Sequence, residues 1–117
     1  PCSGLGVTRR NPDIKWRRNS KDLSRYQQRQ KKLLAAVSTR LRSGGRLVYA
    51  VCSMEPEETS AVIDDFLNSH PDFDIDKSSG CLSQMAAELK DDRGMLATYP
   101  HRHGMDGFFM VALKRLR

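Results

Sequence analysis

Two cysteines stand in short sequence frames that could support thiol chemistry. Cys2 lies in the run Pro1-Cys2-Ser3-Gly4, and Cys52 follows the apolar stretch 47–51 and precedes Ser53. A cysteine placed where a buried strand gives way to a loop is rigidly held and partly exposed, so its thiolate is available as a nucleophile. Because the chain holds three cysteines without CxxC spacing, reduced thiols are favoured over a disulfide framework.

Five motifs follow one another along the chain and include both cysteines. They are Pro1-Cys2-Ser3-Gly4, Arg9-Arg10-Asn11-Pro12-Asp13-Ile14-Lys15-Trp16, Val51-Cys52-Ser53, Glu55-Pro56-Glu57-Glu58, and Pro100-His101 with Asp106-Gly107-Phe108-Phe109. In this order they resemble the motifs of the RNA 5-methylcytosine methyltransferases of the Sun (Fmu) type. The resemblance covers nearly the whole chain, so chance is a poor explanation for it.

The resemblance implies an activity and two catalytic residues. The activity is S-adenosylmethionine-dependent methylation of cytosine C5 in RNA, with ribosomal RNA favoured because the motif 9–16 looks most like bacterial Sun-type members. In that family the cysteine after a Leu-Val-Tyr strand attacks cytosine C6, a role that falls to Cys52 here. The cysteine of the Pro-Cys-Ser motif, here Cys2, assists resolution of the covalent adduct and release of the product.

The same resemblance implies which parts of the enzyme to expect elsewhere. Family members carry an acidic residue and a glycine-rich S-adenosylmethionine loop upstream of the Pro-Cys motif, so the main cofactor site is expected outside residues 1–117. The chain is then expected to form the C-terminal half of a Rossmann-like methyltransferase fold, an α/β fold that ends in an antiparallel strand pair. The isolated chain is expected to be inactive.

The charge of the chain is concentrated in its N-terminal third. Residues 1–46 hold thirteen Lys and Arg against two Asp, a net charge of +11, whereas residues 47–106 carry −8. Such a basic segment is the electrostatic footprint of polyanion binding, although a solvated helix face would look the same. Within it, Arg9, Arg10, Lys15 and Trp16 are the candidates for RNA phosphate contacts and base stacking, and core packing of Trp16 stays open.

The resemblance implies that residues 1–117 form one partial catalytic domain. Residues 1–20 are expected to form an active-site and RNA-binding loop, and residues 21–117 a helix, a strand, a helix and terminal strands. The first helix should begin at Ser20 or Asp22 and end at Gly44-Gly45, with seven residues at helical spacing: Leu23, Tyr26, Gln30, Leu33, Leu34, Val37 and Leu41. Arg46–Val51 should then form a buried parallel strand.

The sequence pattern after Ser53 predicts another helix and three strands. The helix should follow Ser53, with Pro56 in its first turn, Glu57 and Glu58 as capping residues, and a buried side made by Val62, Ile63, Phe66 and Leu67. His70-Pro71 should end it. Strands are expected over 73–76, 96–99 and 108–114, and a short helix over 85–89. The last strand is apolar on both faces, which suits an inserted central strand. A sheet standing alone would expose an apolar edge and could self-associate.

Several alternatives remain open from the sequence. His101 and His103 form an H-x-H pair without further ligands at standard spacing, so no metal is expected, and His101 is expected to shape the active-site rim. Cys81 has no motif and is interpreted as incidental. A non-catalytic RNA-binding α/β module is the main alternative function, and a plain scaffold domain is another. No apolar run approaches the ~20 residues that span a bilayer, so no membrane contact is expected. The odd cysteine count without CxxC spacing favours a cytoplasmic location.

Overall fold

The computed structural model describes residues 20–77, 90–98 and 107–117, and these form two helices, a short 3₁₀ helix and a four-stranded sheet. The elements are α1 (Ser20–Ser38), β1 (Arg46–Val51), the 3₁₀ helix (Pro56–Glu58), α2 (Ser60–Ser69), β2 (Phe73–Ile75), β3 (Leu96–Thr98) and β4 (Phe108–Arg115). The predicted order of elements is confirmed. The predicted loop over 1–20, apart from Ser20, and the predicted helix over 85–89 lie outside the described residues.

Strand β4 lies between the other strands and pairs antiparallel with each of them. One edge pairs with β1, from Arg46 opposite Lys114 to Val51 opposite Phe109. The other edge pairs with β2 near the end of β4 and with β3 near its start. The inserted position of the last strand is therefore confirmed, as is the antiparallel pair that β3 and β4 form.

The core lies where α1 and α2 pack on one face of this sheet. Side chains alternate along a strand, so every second residue of β1 and β4 points to the helices. The central members of the cluster are Leu34, Tyr49, Val51, Val62, Ile63, Phe66, Phe109, Val111 and Leu113. The predicted buried side of α2 is confirmed, with Leu67 half-buried at its margin.

Helix α1 ends earlier than the sequence predicts. It stops at Ser38, so the prediction that Gly44-Gly45 ends it, with Leu41 inside, is wrong. The hydroxyl of Ser38 donates to the carbonyl of Ala35 over 2.7 Å, a local bond of the kind that competes with helix continuation. Gly44 instead uses its left-handed backbone, with φ of 79°, to turn the chain into β1, and its N–H donates to the carbonyl of Arg115 over 2.7 Å.

Strand β1 also differs from its prediction. It was expected as a buried parallel strand, but its pairing is antiparallel, and within the described sheet its only partner is β4. The apolar composition of β1 is shared by both strand types, so it could not distinguish them. Val48 is 57% exposed on the face away from the helices. The predicted open apolar edge is therefore present at β1 among the residues that the structure describes.

Candidate active site

Cys52 is the first residue after β1, and both of its chain neighbours are fixed. Val51 is buried and pairs with Phe109 across the sheet, while Ser53 is 0% exposed. Cys52 itself is half-buried and forms no disulfide among the residues described. A half-buried cysteine held between two fixed residues is the kind of side chain that can act as a positioned nucleophile.

The loop after Cys52 is closed by hydrogen bonds around Glu55. The backbone N–H of Glu55 donates to Ser53 Oγ over 3.2 Å. Its carbonyl accepts from the N–H of Glu58 over 2.9 Å and from Thr59 Oγ1 over 3.0 Å. The chain from Ser53 to Thr59 is thus a bonded turn, and the 3₁₀ helix begins inside it. This turn fixes the backbone on the C-terminal side of Cys52.

Glu58 does not cap a helix in solvent, so that prediction is wrong. Its side chain is 0% exposed, and its carboxylate accepts a hydrogen bond from Ser53 Oγ over 2.5 Å and another from Gln30 Nε2 over 3.2 Å. The hydroxyl of Tyr49 donates to the Glu58 carbonyl over 2.6 Å. Helix α2 begins only at Ser60, so Glu58 lies too early to cap it from the surface. Glu57, by contrast, is exposed.

The cluster formed by Gln30, Tyr49, Ser53 and Glu58 was not predicted from the sequence. One signal for it was present: Gln30 occupies an inward position in the apolar spacing of α1 and is 2% exposed. A polar side chain at such a position needs a buried partner. The partner, Glu58, lies 28 residues away, and no local pattern connects the two.

The edge of the sheet at Cys52 is also formed by the end of β3 and the start of β4. Thr98 pairs with Phe108, and Phe109 lies between Ala97 on one side and Val51 on the other. A small cleft of about 20 Å³ separates the Cys52 loop from these strands and is lined by Ser53, Met54, Thr59, Ala97, Phe108 and Phe109. Thr98 and Phe108 lie on either side of residues 99–107, and the Pro100-His101 motif within that segment lies outside the described residues.

Helix α1 presents an exposed basic stripe made by Lys21, Arg25, Arg29 and Lys32. Residues four apart, or three apart, lie on the same side of a helix, so the four cations share one face. Arg25 forms an ion pair with Asp22 over 2.5 Å. One carboxylate against four cations leaves the stripe with a net positive charge. The structure thus provides an exposed basic surface inside the N-terminal third, in agreement with the charge pattern.

The other predicted site residues fall outside the described ranges. They are Cys2, Arg9, Arg10, Lys15, Trp16 and His101. Cys81 and His103, to which no role was assigned, also lie outside these ranges. Among residues 20–77, 90–98 and 107–117, no three His, Cys, Asp or Glu side chains are grouped so as to hold a metal ion. No helix in these ranges is long and apolar enough to cross a membrane.

Comparison with known proteins decides the family. The model of the 16S rRNA methyltransferase RsmB/F family matches residues 1–114. The chain belongs to the RsmB/F family of 16S rRNA methyltransferases. This RsmB/F assignment confirms the resemblance that the five motifs indicate.

Curated relatives carry the same family name. The chain is 38% identical over 115 residues to the probable ribosomal RNA small subunit methyltransferase B of Synechocystis, and 40% identical over 115 residues to the methyltransferase B of Proteus mirabilis. Each match covers 98% of the chain but only 26% and 23% of the respective relative. The chain therefore spans about a quarter of the length of these RsmB/F relatives.

A solved structure confirms the fold class. The chain superposes on NSun6 from Pyrococcus horikoshii, crystallised with SFG, with a TM-score of 0.80. The match covers 100% of the chain and 28% of that protein, at 24% sequence identity, and shows the fold alone. The helices, the central β4 and its antiparallel partners are thus part of a Rossmann-like methyltransferase fold, as predicted.

Proposed function

We propose that this RsmB/F chain is the C-terminal part of the catalytic domain of an S-adenosylmethionine-dependent enzyme that methylates cytosine C5 in ribosomal RNA. Cys52 is the nucleophile in this proposal. The observation that carries it is the position of Cys52 directly after β1, half-buried between the paired Val51 and the buried Ser53. Open α/β sheets bind their ligands beyond the carboxyl ends of strands, which is where Cys52 lies.

The proposed reaction needs a thiolate because cytosine C5 is too weak a nucleophile to take a methyl group unaided. The Cys52 thiolate adds to C6, forming the C6–S bond, and the displaced ring electrons make C5 nucleophilic. S-adenosylmethionine, when bound, supplies the methyl group. The C5 proton then leaves to a base, the C5–H electron pair restores the C5–C6 double bond, and the C6–S bond breaks to return the thiolate.

Cys2 and the N-terminal basic residues complete the proposal. Cys2 is assigned to resolution of the adduct and release of the product, through the Pro-Cys-Ser motif. RNA phosphate contacts and base stacking are assigned to Arg9, Arg10, Lys15 and Trp16, within an active-site and RNA-binding loop over residues 1–20. The exposed basic stripe of α1 follows this loop directly and supports the assignment of RNA as partner. A ribosomal RNA substrate implies that the enzyme works in the cytoplasm.

The methyl donor, S-adenosylmethionine, is assigned to a site that the described residues do not provide. The cleft between α1 and β1 encloses about 190 Å³ and is lined mainly by aliphatic side chains, Gln30 and Tyr49 being the polar exceptions. Ligand pockets for molecules of this class usually measure ~300–1,000 Å³ and carry convergent polar groups. This cleft does not fit S-adenosylmethionine, which supports a donor site in the upstream part and an inactive isolated chain. SFG, an analogue of S-adenosylmethionine, was crystallised with the longer NSun6.

The test uses the completed enzyme, meaning this chain preceded by the upstream part of the protein. Cys2→Ala, Cys52→Ala and the control Cys81→Ala are each incubated with ribosomal RNA and S-adenosylmethionine, and protein–RNA adducts are resolved on a denaturing gel. Cys2→Ala should accumulate an adduct, whereas Cys52→Ala should form none and lose methylation, and Cys81→Ala should behave as wild type. The reverse pattern would exchange the two cysteine roles.

A non-catalytic RNA-binding module is the second candidate function, favoured by the exposed basic stripe of α1. It predicts that both cysteines can be replaced without loss of function, since binding needs no thiol. If Cys2→Ala and Cys52→Ala both bind RNA normally and neither forms an adduct, while the wild type does not methylate, this alternative replaces the first.

A further inference from the structure

The carboxylate of Glu58 joins three elements of the fold at one buried point. Gln30 reaches it from α1, and Ser53 reaches it from the loop after β1. Tyr49 of β1 binds the backbone carbonyl of the same residue. Both carboxylate oxygens accept side-chain hydrogen bonds in a site with no solvent exposure. Burying a carboxylate costs free energy unless it is hydrogen-bonded. Loss of either hydrogen bond to Glu58 should therefore also disturb the element that donates the other one.

The shortest link from this carboxylate runs to the residue next to Cys52. Ser53 Oγ donates to Glu58 Oε2 over 2.5 Å and accepts from the N–H of Glu55 over 3.2 Å. Ser53 is therefore held from two sides. Because Cys52 is bonded to Ser53 on one side and to the strand residue Val51 on the other, the position of its backbone depends on whether Ser53 keeps both contacts.

We propose that Glu58 is the positioning residue for the nucleophile: through Ser53 it fixes the backbone at Cys52 so that the thiol meets cytosine C6 at attack distance. This inference rests on the proposed function, which assigns Cys52 as the nucleophile. Attack by a positioned group is sensitive to geometry, and a displacement of about 1 Å lowers a rate by roughly a hundredfold. Glu58 acts without touching the substrate.

The first variant is Glu58→Gln in the completed enzyme. A carboxamide is uncharged and has one accepting oxygen, so Ser53 Oγ and Gln30 keep their contacts with it only as weaker neutral hydrogen bonds, and only if the Gln30 amide turns its Oε1 towards the new N–H. Single-turnover adduct formation should fall by about 10- to 100-fold, while the dissociation constants for RNA and S-adenosylmethionine stay within about twofold. The matched control is Glu57→Gln, the same change on the neighbouring exposed glutamate, which should leave the adduct rate unchanged.

The second variant exchanges the two partners, as Gln30→Glu with Glu58→Gln. The new amide at position 58 can accept from Ser53 and donate to the new carboxylate at position 30, so the donor and acceptor count is restored with the same charge. The adduct rate should recover to within about threefold of wild type, whereas Gln30→Glu alone, which places two carboxylates together, should be strongly impaired.

A third readout follows the thiol without methyl transfer. Alkylation of Cys52 by iodoacetamide, measured by mass spectrometry of its peptide, should be faster in Glu58→Gln, because the loosened loop exposes the thiol. The proposal is overturned if Glu58→Gln forms adducts at the wild-type rate per folded molecule, or if the exchange variant regains its melting temperature but not its adduct rate. Cys2→Ala and Cys52→Ala, run in parallel, report separately on the proposed function: failure there shows as no adduct in Cys2→Ala or an adduct in Cys52→Ala.

Discussion

The hydroxyl of Tyr49 donates to the backbone carbonyl of Glu58 over 2.6 Å, and so spans the loop that carries Cys52. Tyr49 belongs to β1, and its ring meets Phe109 edge to face with the centroids 6.2 Å apart. Glu58 belongs to the 3₁₀ helix beyond the loop. The chain leaves β1, passes Cys52 and Ser53, and forms the 3₁₀ helix, whose last residue contacts β1 again through Tyr49. The loop is therefore a closed structure whose two ends are joined by a buried hydrogen bond.

Tyr49→Phe should destabilise this closure without disturbing the core. The ring and its contact with Phe109 remain, but the buried carbonyl of Glu58 loses the Tyr49 donor, at a cost of about 1–3 kcal/mol in the free energy of unfolding. Urea unfolding of the dilute 117-residue chain measures this. Val48→Ala, an exposed change on the same strand, should cost less than about 0.5 kcal/mol. Equal values for the two variants would contradict a role for the hydroxyl.

Leu113→Ala should be far more costly than the same change three residues later. Leu113 is 0% exposed and lies between two strands, where it pairs with Leu47 of β1 and with Ile75 of β2. Truncation leaves a cavity and should lower the free energy of unfolding by about 2–5 kcal/mol. Leu116 is 55% exposed, so Leu116→Ala should change it by less than about 0.5 kcal/mol. Denaturant unfolding of both variants gives the comparison, and a small effect at Leu113 would show that β4 is not the central strand.

The order and type of the elements followed from the sequence because they depend on local periodicity. The stripe of Val62, Ile63 and Phe66 predicted α2, and the apolar run that begins at Phe108 predicted a central strand. The exact end of α1 did not follow. Glycine commonly ends helices, which is why Gly44 was expected to do so. Its left-handed backbone instead forms the turn before β1, and the helix already ends at Ser38.

The site could be predicted only in part, for a related reason. The frame of Cys52 is local, so its position after a strand was predictable and is confirmed. The burial of Glu58 depends on Gln30, which is close in the fold but distant in the chain. Two acidic residues after a proline look the same whether they cap a helix in solvent or turn inward. Only the packing of α1 against the loop decides between these two outcomes.

The open edge of β1 should make the isolated 117-residue chain self-associate. Unpaired backbone groups on an edge strand can pair with a second copy, and Val48 adds an exposed apolar side chain there. Val48→Lys should shift the chain towards monomer, because a charge on an edge strand opposes pairing. Ser43→Lys adds the same charge at an exposed position before the strand and should leave association unchanged. Sedimentation velocity distinguishes them, and an equal shift in both would point to net charge as the cause.

The basic stripe of α1 should contribute to RNA affinity in a salt-dependent way. Replacing Lys21, Arg29 and Lys32 by Gln removes three exposed cations from one helix face while keeping good helix-forming residues. Each lost phosphate contact should reduce the slope of log affinity against log salt by about 0.7, so a loss of about 2 is expected if all three bind phosphate.

The control replaces Lys77, Lys114 and Arg117, which are also exposed, and removes the same charge elsewhere. RNA titrations of the completed enzyme at several salt concentrations measure the slope. Equal losses in the two variants would show that RNA senses only the overall charge, because a specific surface on α1 requires the first variant to lose more.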